Sequence, residues 1–153
     1  MVEVLVLYYS RGGRTKGLAK AVAEGIESKG GSARIQRVDF ATVDDFTSCD
    51  AVAFGSPNYF SYMAGIMKDF FDKALTVREK VSGKPAVAFS SGGGSSDAAL
   101  VSLEKMIGFF RLEKVVDGII SQGEPTKQDL EACRKLGEAL TAKALERAEP
   151  PRD

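Results

Sequence analysis

The densest chemistry in the chain lies at residues 10–15, Ser-Arg-Gly-Gly-Arg-Thr, where a run of strand-forming residues stops and helical spacing resumes. Gly12 and Gly13 can turn backbone N–H groups inward, and Ser10 and Thr15 add hydroxyls. The first turn of the following helix supplies unpaired N–H groups and partial positive charge. Arg11 and Arg14 either add charge or point to solvent. The set suits an anion, a phosphate above all. A glycine-rich strand-to-helix turn with no ligand is the plainer reading of the same glycines.

Two further loops carry residue types of the same interest. Residues 55–65, Gly-Ser-Pro-Asn-Tyr-Phe-Ser-Tyr-Met-Ala-Gly, follow an apolar strand and place Tyr59, Phe60 and Tyr62 within four positions. Such rings on a surface loop either cover something flat or a partner, or fold back to the core. Residues 90–98, Ser-Ser-Gly-Gly-Gly-Ser-Ser-Asp-Ala, allow close backbone approach and offer N–H donors. A flexible linker explains glycines as well, but this loop lies between an apolar strand and a helix start. A phosphate cradle, an aromatic platform and an amide-rich wall together fit a phosphorylated planar ligand, and flavin mononucleotide (FMN) suits all three.

Missing residues exclude other chemistries. The 153-residue chain has no histidine, which removes His-dependent triads and most zinc sites. Cys49 and Cys133 form no zinc-like spacing and are expected to pack as small hydrophobes. Residues 10–17 lack the GxxxxGK[ST] of a P-loop NTPase. Ser10 and Gly-Ser-Pro-Asn at 55–58 stand where a receiver domain needs its acidic pair and phospho-acceptor. No cysteine in the first loop could serve a low-molecular-weight phosphatase. Lys plus Arg number 21 and Asp plus Glu 21, so no charge surplus points to nucleic acid. No signal peptide or membrane insertion is expected, and a reduced, cytoplasmic setting follows from that expectation.

The loops need elements to position them. Five apolar runs, at 2–9, 32–40, 50–56, 84–91 and 114–121, read as strands. Helical stripes stand between or after them: Leu18, Val22, Gly25, Ile26; Met63, Met67, Phe70, Phe71, Ala74; Leu100, Leu103, Ile107, Phe110; and Leu130, Cys133, Gly137, Leu140. Residues 41–49 are ambiguous, a short or irregular helix. Ser96–Asp97 and Thr126 sit at cap positions. Alternating strands and helices imply right-handed crossovers and a parallel sheet covered on both faces. The polar second run, with Arg34, Gln36 and Arg37, reads as an edge strand. The expected architecture is α/β: a single doubly wound five-stranded parallel sheet, order 2-1-3-4-5, in a three-layer α/β/α sandwich. Its ligand would bind at the carboxyl rim, beside the switch point between strands one and three. One domain is expected over 1–147, with a C-terminal tail at 148–153.

These residues resemble the flavodoxin-like FMN proteins over residues 2–147. The first loop is similar to the flavodoxin phosphate loop: Ser10, Gly13 and Thr15 match, while Gly12 replaces the middle hydroxyl. Residues 55–74 resemble the flavin-carrying loop and helix of multimeric NAD(P)H:quinone oxidoreductases and iron–sulfur flavoproteins. Residues 121–140 resemble the flavodoxin module of flavodiiron proteins. The resemblance implies that Ser10, Arg11, Gly12, Gly13, Arg14 and Thr15 hold the FMN phosphate. It implies that Ser56, Pro57, Asn58, Tyr59 and Phe60 wrap the cofactor, with a backbone carbonyl near Asn58 and Tyr59 close to flavin N5. Ser90, Ser91, Gly92, Gly93 and Gly94 would line the pyrimidine edge. The third loop lacks the stacking tyrosine of many flavodoxins. The segments that help quinone oxidoreductases tetramerise and hold nicotinamide are also missing, and strand five carries no insertion. With Asp97 the only carboxylate in or just after the three loops, the final reduction couple is expected to be less negative than in strongly acidic flavodoxins. Two functions follow: an electron carrier working with redox partner proteins, or an NAD(P)H-dependent reductase of a quinone-like acceptor. The oligomeric state stays open.

Overall fold

In the computed structural model, which describes residues 1–149, β1 (Glu3–Tyr8) sends alternate side chains to opposite faces of a sheet. Val4, Val6 and Tyr8 enter one apolar cluster and Leu5 and Leu7 the other. That two-residue period needs both faces covered, and helices on either side cover them.

The chain continues through α1 (Arg14–Ser28), β2 (Ser32–Arg37), a 3₁₀ turn (Val38–Phe40), α2 (Val43–Ser48), β3 (Ala51–Tyr59), β4 (Tyr62–Met63) and α3 (Gly65–Ala74). A 3₁₀ turn (Leu75–Val77) and α4 (Arg78–Val81) lead to β5 (Pro85–Gly92), α5 (Ala98–Phe109), β6 (Glu113–Lys114), β7 (Ile119–Gln122) and α6 (Lys127–Ala148). The parallel order is β2-β1-β3-β5, with β6 and then β7 pairing the outer side of β5. Helices α1 and α6 share the cluster of Val4 and Phe89, and α3 and α5 that of Leu5 and Phe54. The expected three-layer doubly wound architecture is therefore present, and β2 is an edge.

Three local expectations need correction. The fifth strand is in two pieces, because the chain leaves β5 after Val115, whose N–H still reaches the Ala86 carbonyl, and rejoins it at Ile119. At Gly118, between the pieces, a Cβ would come within 2.6 Å of the Ala88 carbonyl and 2.5 Å of Leu100, so glycine admits this close crossing. The second strand stops at Arg37, where β1 runs out at its partner Tyr8, and Val38–Phe40 turns instead. Met63 is buried but lies in β4, an antiparallel hairpin strand on β3, and α3 starts only at Gly65. The stretch at 41–49 does hold the short helix expected there, α2, closed by a capping box between Thr42 and Asp45.

The expected tail begins at the last residue of α6, and residues 150–153 lie outside the described residues. Among the described residues no helix is long and apolar enough to cross a membrane. None of their His, Cys, Asp or Glu residues group so as to hold a metal ion.

Candidate functional site at the carboxyl rim

The first loop leaves β1 under tight backbone control. The Tyr9 N–H donates to the Gly55 carbonyl at 3.0 Å, and the Ser10 carbonyl accepts from Arg37 Nη1 at 2.6 Å. Ser10 is buried, and its Oγ accepts the Gly13 N–H at 3.0 Å. That bond closes the loop on itself and leaves the Ser10 hydroxyl hydrogen free to donate. Gly13 takes φ +99°, a left-handed conformation in which side chains are strained, and space for a Cβ there is open. It is the N-cap of α1, which has no side-chain cap and no acidic residue in its first turn. The first helical bond is Gly17 N–H to Gly13 carbonyl, so the N–H groups of Arg14, Thr15 and Lys16 precede any intrahelical acceptor. Thr15 is buried and shares a 2.7 Å hydrogen bond with the Ser91 hydroxyl, which joins the first loop to the third.

The second loop is a hairpin. Ser56 Oγ accepts the Ala64 N–H and donates to the Pro57 carbonyl, both at 2.8 Å, fixing the approach to α3. Tyr59 pairs with Tyr62, and the two turn residues between them, Phe60 and Ser61, have φ of +52° and +63°. Two such values match the tight hairpin turn that follows sheet twist, but without the usual glycine, so the turn is strained. Phe60 is fully exposed at its tip. The Tyr59 ring meets Tyr9 edge to face, with centroids 6.4 Å apart.

Between these loops lies a cleft of about 440 Å³, lined by Ser10, Arg11, Gly12, Arg14 and Thr15 on one side and Pro57–Tyr59 and Ser91–Gly93 on others. Of the residues expected from sequence, Ser56, Phe60, Ser90, Gly94 and Gly13 are not among the lining. Ser56 is a strut beneath it, and Ser90 is buried two positions along β5 from Ala88, under the rim. Tyr62 is partly exposed beyond the hairpin tip. Sequence reasoning missed a fourth contributor: Glu124, from the turn after β7, lines the cleft and pairs with Arg14 at 3.2 Å. Gly123 ties that turn to the third loop through a 2.7 Å bond to the Gly92 carbonyl. The signal was a Gly-Glu-Pro turn directly after the fifth strand.

One atom in the cleft is out of balance. Asn58 Oδ1 is buried without a hydrogen-bond partner among the described residues. A buried acceptor left unpaired costs about 1–3 kcal/mol, so Asn58 points to a donor supplied from outside the chain. Gly92 sits against it, where a Cβ would stand 3.4 Å from Asn58 Cβ. Helix N–H groups with arginines at one end and an amide beside Tyr59 and the third-loop glycines at the other suit a phosphate-bearing ring with polar edges. The cysteines take no part: burial pushes the Cys49 thiol up to about 11 and Cys133 up to about 12, so both stay protonated and inert.

A flavodoxin-domain family profile matches residues 5–113. A flavodoxin of Aquifex aeolicus is 38% identical over 158 aligned positions, covering 92% of this chain and 85% of that protein. An NAD(P)H dehydrogenase (quinone) of Caulobacter vibrioides is 36% identical over 128 positions, covering 67% of this chain and 64% of that enzyme. Among solved structures, a flavodoxin from the domain Archaea superposes with a TM-score of 0.86 at 29% identity, covering 94% of this chain and 99% of the other.

Proposed function

The chain belongs to the flavodoxin family, and from that premise we propose that it binds FMN in the rim cleft and carries electrons between redox partner proteins. The observation that carries the reading is the open N-terminus of α1. Gly13 holds it without a side-chain cap and with no acidic residue in its first turn, facing a cleft whose far wall is Pro57–Tyr59. FMN supplies the one- and two-electron chemistry when bound.

The chain's residues bind and orient. Thr15 with Ser10 and the first-turn N–H groups cradle the phosphate, and Arg14 exchanges Glu124 for it, since that ion pair is exposed and weak. Tyr59 and Pro57 would lie beside the ring, Asn58 Oδ1 would accept from a polar ring edge, and Gly92 and Gly93 would let that edge approach the backbone. The expected Phe60, at the exposed tip, is better placed to meet a partner than to touch the cofactor. Glu124 is the one carboxylate in the cleft lining, so the lining offers little repulsion to a reduced ring, in keeping with the less negative final couple expected above.

The reductase reading is supported by the quinone dehydrogenase relative, of whose length this chain spans 64%. A visible absorption spectrum followed by anaerobic NADH or NADPH separates the two. A yellow protein that is bleached only through a separate reductase fits the carrier. Direct bleaching with turnover on a quinone makes it a reductase. A colourless protein that refuses added FMN would overturn both. Phosphate recognition adds a pH signature: the second phosphate pKa is about 6, so FMN should bind more tightly as pH rises from 5 to 7. Riboflavin, which lacks the phosphate, should show no such rise in a fluorescence titration.

A further inference from the structure

Arg37, the last residue of β2, lies outside the cleft lining, yet it is bound to three things at once. Its Nη1 donates to the Ser10 carbonyl at 2.6 Å. Its Nε donates to both Asp39 carboxylate oxygens, at 2.8 and 3.1 Å. Its guanidinium lies 5.0 Å from the centre of the Tyr9 ring, which in turn meets Tyr59.

The first of these bonds decides how the loop faces. Across a trans peptide the carbonyl and the next N–H point in opposite directions. With the Ser10 carbonyl drawn out to Arg37, the Arg11 N–H points away from Arg37, into a loop whose residues line the cleft. Asp39 lies in the 3₁₀ turn just after β2 and fixes the guanidinium plane by its two contacts. An arginine gripped this way is pre-organised, and less freedom is lost per bond it makes.

We propose that Arg37, locked by Asp39, is a positioning residue that sets the anion-binding face of the 10–15 loop and so selects phosphorylated over unphosphorylated flavin. This rests on the FMN reading above. It is separable from a plain charge effect by the sign of one substitution. Asp39→Asn removes a negative charge near the loop, so electrostatics alone would tighten FMN binding. Loss of the grip on Arg37 weakens it.

The test is fluorescence titration of FMN and riboflavin against apoprotein of wild type, Asp39→Asn and Arg37→Met, with apoprotein melting curves to establish folding. Asp39→Asn should weaken FMN by about threefold and Arg37→Met by about tenfold, the scale of one lost hydrogen bond. Riboflavin affinity should change less than about twofold in both. Tighter or unchanged FMN binding in Asp39→Asn, or a parallel loss of riboflavin, overturns the proposal. If Arg37→Met fails to fold, Asp39→Asn alone decides. A wild-type protein that binds no FMN overturns the flavin reading and this inference with it, and that result appears before any variant is made.

Discussion

Two helices start at the same rim, lie on the same face of the sheet, and close their first turns in opposite ways. The N-terminus of α6 is finished by its own chain: Thr126 Oγ1 accepts the Asp129 N–H at 3.0 Å, and Asp129 Oδ2 accepts the Thr126 N–H at 2.9 Å. The Ser121 hydroxyl adds a third bond to that carboxylate. The N-terminus of α1 has Gly13 in the cap position, no capping side chain and no acidic residue in its own first turn. A helix start leaves N–H groups that something must satisfy. At α6 the capping box bonds the Thr126 and Asp129 N–H groups internally, and at α1 the first-turn groups stay open to the anion proposed above. Their shared packing makes the contrast sharper. The helices cross where Gly25 and Gly137 sit against the partner's backbone, so that a Cβ at Gly25 would collide with the Arg134 carbonyl and one at Gly137 with that of Val22. The difference between the two ends therefore belongs to the caps and not to the cores beneath them.

The largest effect is expected at the open end. Gly13→Val forces a β-branched residue into a left-handed conformation, which costs about 1–2 kcal/mol of folding stability. It also places a side chain where the loop is open. FMN affinity should fall by about a hundredfold, the scale of two hydrogen bonds lost when the strained loop backbone shifts. Full FMN affinity in a folded Gly13→Val would break the comparison.

At the closed end the order reverses. Thr126→Ala should cost about 1 kcal/mol in denaturant unfolding and leave FMN affinity unchanged. A lost cofactor would instead make the α6 start part of the site. Asp129 gives the same end a pH signature. Its backbone bond from Thr126, helped by the Ser121 hydroxyl, holds its carboxyl below the usual carboxylate range, against a smaller opposing effect of burial. A carboxylate with a depressed folded pKa stabilises fully above its unfolded value, near pH 4. That contribution is lost as pH falls through the folded value. The melting temperature of wild type should thus exceed that of Asp129→Asn at neutral pH, and the gap should close below about pH 4. A gap that persists at pH 2 would mean that the charge is not what matters.

This contrast also separates what the sequence could and could not disclose. The buried strands are legible because both faces are covered, so Val4–Tyr8 and Ala51–Phe54 read as apolar runs. The first loop is legible because hydroxyls and glycines cluster where a strand becomes a helix. The break in the fifth strand is not, since Gly118 earns its place only through Ala88 and Leu100, far away in sequence. The β3–β4 hairpin was hidden because Phe60–Ser61 carries no Asn-Gly turn signal, and its Met63 kept helical spacing with α3. Helix α2 was too short for periodicity, though Thr42 and Asp45 already had capping-box spacing. Asn58, Tyr59, Gly92 and Gly93 were expected from the sequence and do line the cleft. Arg37, Tyr9 and Glu124 were not, because each reaches the site through contacts made by the tertiary fold alone.

The smallest expected effect lies where the two helix starts touch. Glu124 stands just before α6 and pairs with Arg14 in the first turn of α1, so the closed end lends a carboxylate to the open one. Both partners are substantially exposed, at 82% and 42% of the side chain, which makes the pair weak and easily screened. Glu124 thereby engages the cation that the FMN phosphate of the proposed reading would use. Glu124→Gln should therefore free Arg14 and tighten FMN by about twofold to threefold at low ionic strength, with the gain vanishing as salt is raised. Stability of the apoprotein should hardly move, as for most exposed pairs. Weaker FMN binding in that variant would reverse the assignment: Glu124 would then be holding Arg14 in the orientation the phosphate needs, and the open end would depend on the closed one.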